Sequence, residues 1–120
     1  MRIAITTRGD DLGAEVDPRF GRAAKFLLVD TETMAFKSIE NAQSLDLLQG
    51  AGIQAAQNII QHNPAVVLTG YCGPKAFKVL EASGVKVVVG VGGKIKDVIT
   101  AYLDGKYQPA EKANVEGHWV

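Results

Sequence analysis

Three glycine-bearing junctions in this chain, Gln49-Gly50-Ala51-Gly52, Gly70-Tyr71-Cys72-Gly73-Pro74 and Gly90-Val91-Gly92-Gly93, each precede a stretch with helical periodicity. A helix amino terminus presents unpaired N–H groups and a partial positive charge. In an open α/β sheet such termini gather at the carboxyl ends of the strands, so three of them predict an anion-binding edge. The middle junction holds the only cysteine, Cys72. Beside a helix start the dipole favours thiolate over thiol, and thiolate is the form that binds metal. Gly73-Pro74 adds a close backbone approach and a fixed helix start. Free cysteine is also among the most buried residue types, and on position alone the chemical and packing roles balance. The chemical role predicts an accessible thiol, more reactive than an ordinary one.

Charge for an anion is available in the long polar stretch 7–24, where Arg19 and Arg22 flank Phe20-Gly21. Folded over the carboxyl edge, that loop would aim both guanidinium groups at a ligand; ion pairs with Asp10 or Asp17 are the alternative. Lys75 and Lys94 open two helices, where a cation opposes the dipole. Taken singly, glycine junctions are also what αβ turns need sterically, and none here matches Gly-x4-Gly-Lys-Ser/Thr or Gly-x-Gly-x-x-Gly. His62 stands where an imidazole caps a helix end, and His118 in the tail offers a lone metal donor. The pair lacks zinc-site spacing. Met1 and Met34 are soft donors whose ordinary role is packing. The first strand carries no carboxylate, which excludes a two-metal nuclease built on it, and no Gly-x-Ser-x-Gly elbow occurs.

Composition sets the frame. With 120 residues, 47% hydrophobic, the chain suits one domain with a core of its own. Thirteen basic residues balance thirteen acidic ones, so no global field recruits nucleic acid or an anionic membrane. One cysteine, no amino-terminal apolar segment of signal type and no apolar run near the roughly 20 residues of a membrane span make the cytoplasm the expected location.

The elements that must position these residues follow from periodicity. Arg2–Thr6 reads as a buried strand, and 25–30 and 34–39 as a hairpin around Thr31-Glu32-Thr33. Ile53, Ala56, Ile59 and Ile60 mark a helix stopped by Asn63-Pro64. Residues 65–69 form a buried strand, and Pro74 opens a helix ending at Gly84. Residues 85–89 form another strand, and a helix runs from about Lys94 to Leu103, with Gly105 as its stop. The order β, hairpin, then α-β-α-β-α predicts a mixed five-stranded sheet with helices on both faces. Residues 1–105 form the domain, and 106–120 a polar tail docking through Trp119.

The pattern resembles the dinitrogenase iron-molybdenum cofactor biosynthesis family. The matching stretches are Ile3-Ala4-Ile5-Thr6, Val16 to Arg22 with Phe20-Gly21-Arg22, Ile39-Glu40-Asn41, Gly50-Ala51-Gly52, Thr69-Gly70 with Gly73-Pro74-Lys75-Ala76, and Gly92-Gly93. The resemblance implies a three-layer α/β/α ribonuclease H-like fold and no catalytic turnover. Within the family the chain looks most like the stand-alone orange-protein type of sulfate-reducing bacteria. It lacks the extra amino-terminal domain of the larger nitrogenase cofactor carriers and the histidine that some of them place near the cluster. The implied cargo is a molybdenum-copper sulfide cluster or another iron-molybdenum or iron-sulfur cluster, with protein partners for cluster transfer or regulation. The expected site comprises Arg19, Phe20, Gly21, Arg22, Gly70, Tyr71, Cys72, Gly73, Gly92 and Gly93, with Cys72 as metal ligand. A nucleotide-binding or small-molecule regulatory module on the same edge, and an adaptor whose glycines only shape turns, are the alternatives.

Overall fold

Alternation along the first strand divides the core in two: Ile3 and Ile5 point to one side of the sheet and Ala4 to the other. The computed structural model describes residues 1–42 and 50–114. Its elements are β1 (Arg2–Thr7), β2 (Lys25–Asp30), β3 (Phe36–Glu40), α1 (Ala51–Ile60), β4 (Val66–Leu68), α2 (Pro74–Ala82), β5 (Lys86–Val88) and α3 (Ile95–Leu103). The strands form one mixed sheet of order β3-β2-β1-β4-β5. β1 pairs antiparallel with β2 and parallel with β4; β2 and β3 are antiparallel, β4 and β5 parallel.

One sheet face, with Ala4, Phe26, Leu28, Val67 and Val87, packs on α1 and α2. Small residues there, Ala55, Ala56 and Ala76, let the two helices approach. The other face, with Ile3, Ile5, Leu27, Val29, Val66, Leu68 and Val88, packs on Ile95, Val98 and Ile99 of α3. A one-residue slip of β1 would exchange these two sets, so burial on both faces fixes the register. The expected mixed sheet with helices on both faces is therefore present.

The boundaries differ from expectation for local reasons. β3 starts at Phe36 because Met34 takes a left-handed conformation, φ 60°, in a turn closed by the Met34 N–H donating to the Asp30 carbonyl. β5 starts at Lys86 because the Val85 N–H donates back to Leu80 at the end of α2. α1 is terminated by left-handed Asn63, φ 53°, and among the described residues the His62 imidazole makes no capping hydrogen bond. Gly105, φ 80°, ends α3 as expected.

The segment after α3 departs most from its polar composition. Ala110 and Ala113 pack on the α1/α2 core, and the Ala110 N–H donates to the Val87 carbonyl at 2.7 Å, covering the free edge of β5. Among the described residues this segment docks through two alanines and Asn114; Trp119, expected to dock the tail, and His118 lie outside the described residues. Among the described residues no helix is long and apolar enough to cross a membrane.

Candidate functional site at the carboxyl edge

Parallel strands β1, β4 and β5 end together, and their exits carry Thr6-Thr7, Thr69-Gly70 and Val89-Gly90. The ends are tied laterally: Thr6 and Thr69 share a hydroxyl hydrogen bond of 2.8 Å, the Gly90 N–H donates to the Gly70 carbonyl at 2.9 Å, and the Val91 N–H to Thr69 at 3.1 Å. Both threonines are fully buried, so their hydroxyls need these partners.

The loop 7–24 lies across this edge. The Asp17 N–H donates to the Thr6 carbonyl at 2.7 Å, and the Thr6 hydroxyl to the Asp17 carbonyl at the same distance. The Thr7 hydroxyl donates to Glu15, 2.8 Å, and the Val16 N–H to Gly93, 2.9 Å. Tyr71 then donates its N–H to Pro18, 2.6 Å, and accepts from the Phe20 N–H, 3.1 Å. Gly70 permits this clamp: a Cβ there would sit 2.7 Å from the Pro18 carbonyl oxygen.

The expected site residues divide into two sets. Phe20 enters the core against Phe26, ring centroids 5.7 Å apart, and Gly21, Gly70 and Gly73 are buried in the backbone scaffold. Arg19, Arg22, Tyr71, Gly92 and Gly93 face solvent. The bridge between Arg19 and Tyr71 and the bond from Val16 to Gly93 bring loop and junctions together. An open cleft of about 420 Å³ lies along the loop, lined by Arg8, Arg19, Glu15, Asp17 and their neighbours. Of the ten expected residues only Arg19 lines it.

Asp17 does not neutralise the Arg19 guanidinium. Its buried carboxylate accepts the Arg19 backbone N–H, 3.0 Å, and the Arg8 Nε–H, 3.4 Å. Asp10 is engaged by Lys25 and Ser38, which hold its carboxyl below the usual range, first through the Lys25 hydrogen bond. Among the described residues the Arg19 and Arg22 guanidinium groups make neither ion pairs nor hydrogen bonds.

Two expectations are corrected. Cys72 is fully buried, and desolvation pushes its thiol up to about 12, so it is neither accessible nor a ready thiolate. The helix start that should acidify it has its Cys72 N–H taken by the Asn114 carboxamide at 2.8 Å. Nor is the α3 amino terminus open, since Ile95 and Lys96 donate their N–H groups to Ala14 and Leu12. The sequence places Thr6-Thr7 on this edge, as found, but gives neither the bond between the Thr6 and Thr69 hydroxyls nor the part played by Asn114. Threonines at the ends of adjacent strands were the available signal for that bond; Asn114 had none.

The raised Cys72 value has a measurable consequence. An acid ionising later in the folded than in the unfolded state contributes stability below its unfolded pKa and loses it as pH rises towards the folded value. Stability of the wild-type protein should thus fall between about pH 9 and about pH 12. Denaturant unfolding of Cys72→Ala across that range should lack this component of the slope.

The apo form of the orange protein from Desulfovibrio gigas is similar, at 45% identity and a TM-score of 0.91, over 95% of this chain and 96% of that one. A Thermotoga protein solved by NMR is 28% identical, with a TM-score of 0.76, over 97% and 98% of the two chains. An uncharacterised protein of Methanocaldococcus jannaschii is 29% identical over 92% of each chain. The model of the dinitrogenase iron-molybdenum cofactor family matches residues 1–105. Spanning the whole sheet, the clamping loop and all three helices, that match establishes that the chain belongs to this family.

Proposed function

We propose that the chain, a ribonuclease H-like α/β/α domain, holds a preformed anionic metal-sulfur cluster at its carboxyl edge and carries it as cargo without turnover. The observation behind this reading is a pair of exposed guanidinium groups, Arg19 and Arg22, free of acidic partners among the described residues and borne on a loop stitched to the strand ends. Uncompensated guanidinium groups on ordered backbone favour a polyanion, because little side-chain charge must be stripped away before it binds.

The donor chemistry narrows the cargo. Cys72 is withdrawn, and among the described residues no cluster of three or more His, Cys, Asp or Glu side chains could hold a bare ion. A body that brings its own sulfide ligands fits better, held by charge and by close backbone approach at exposed Gly92, where a Cβ would meet open space. Resemblance to the orange-protein type makes molybdenum-copper sulfide the favoured species. Carriage in turn calls for a protein partner that delivers or receives it. The phosphate-binding alternative loses support from the α3 amides, which already bond to the loop carbonyls.

Backbone amide shifts under anaerobic titration with tetrathiomolybdate and copper(I) test the placement. Perturbations are expected in 8–22, 70–73 and 90–94 and not at the opposite end of the sheet, in 62–65 and 83–86. Shifts centred on that opposite end would overturn it. If no shifts appear while a nucleotide raises the melting temperature with concentration, the regulatory module takes its place.

A further inference from the structure

Cys72 and the segment 110–114 contact each other closely. The Asn114 carboxamide accepts the Cys72 N–H at 2.8 Å and donates to the Gly70 carbonyl at 2.9 Å, while the Asn114 N–H donates to the Cys72 carbonyl at 3.3 Å. Among the described residues the other hold on the segment is the Ala110 N–H bond to Val87, with Ala110 and Ala113 against the core that contains Cys72. The turn 70–72 is thus gripped from two sides, by Pro18 and Phe20 of the loop and by Asn114 of the terminal segment.

The two grips differ in strength. The loop is anchored by fully buried Phe20 and the threonine hydroxyls, whereas residues 110–114 set only two alanine methyls against the core and leave Glu111 and Lys112 exposed. A segment with little apolar burial opens at a smaller free energy than the whole fold. We propose that residues 110–114 form a releasable latch over Cys72: closed, it keeps the thiol inert, and open, it exposes the thiol on the edge bearing Arg19 while the sheet and loop stay folded. The latch depends only on these contacts and stands or falls separately from the identity of the cargo.

Alkylation of the native full-length protein by iodoacetamide reads the opening; the Cys72 sulfur displaces iodide and the thiol proton passes to water. Loss of the carboxamide bonds in Asn114→Ala should accelerate alkylation by roughly tenfold or more. Ala113→Glu, which sets a charge against the core, should do the same. Amide exchange in the wild type supplies a second readout, with Cys72 and Ala110 exchanging together and faster than Val67 and Leu68. Alkylation unchanged in both variants, or rising only in step with exchange of Val67 and Leu68, would overturn the latch, because the thiol would then appear only on global unfolding.

Discussion

Gly70→Ala is expected to destabilise the protein by about 1–3 kcal/mol and to lift the loop from the carboxyl edge. The new Cβ would lie 2.7 Å from the Pro18 carbonyl oxygen, 2.8 Å from its Cα and 2.9 Å from its Cβ. Two of these three atoms are backbone, and none is the end of a flexible side chain, so neither side of the contact yields easily. Relief requires breaking the bonds between Tyr71 and Pro18 or Phe20, and Phe20 then loses its seat against Phe26. Gly92→Ala is the matched control. No atom lies within 4 Å of its added Cβ, so stability should change by no more than about 0.5 kcal/mol. Chemical denaturation of the two variants checks the contrast. Equal midpoints would mean that the loop is not clamped through Gly70.

Legibility in the sequence followed the range of the physics involved. The sheet and its three helices were readable because apolar spacing reports burial locally, as with Ile3 and Ile5 in β1 or Ile95, Val98 and Ile99 in α3. Loop 7–24 was marked by its length and turn residues, but its course over the edge entered only as the condition under which Arg19 and Arg22 would supply charge to an anion. The bonds that hold it there were not readable. Thr6 and Thr69 are 63 residues apart, and Cys72 and Asn114 are 42 apart, with no periodic signal linking them.

Cys72 shows why local reasoning fell short. A position next to a helix start argues for a thiolate only if water or a ligand reaches it. Here Phe20, Phe77 and the α2 residues share its buried cluster, and Asn114 takes its amide, so desolvation outweighs the dipole. The same tertiary override consumed the α3 amides. The Leu12 and Ala14 carbonyls of the long loop take them.

The second large effect concerns charge. Reversing both guanidinium groups, Arg19→Glu with Arg22→Glu, should weaken cluster retention by at least about a hundredfold, since each lost charge-assisted hydrogen bond is worth about 1.5–3 kcal/mol and repulsion adds to the loss. Both side chains are exposed and unpaired among the described residues, so unfolding stability should move by only about 0.5 kcal/mol. Retention should also weaken with added salt, as expected for exposed cations. The decisive measurement is anaerobic gel filtration of the apo protein after mixing with tetrathiomolybdate and copper(I), following visible absorption and metal content in the protein peak. The wild type should carry a coloured, metal-containing species through the column, and the folded double variant should emerge colourless. A wild type that retains no cluster with molybdenum, copper or iron supplied, or a double variant that retains it equally well, would contradict the account.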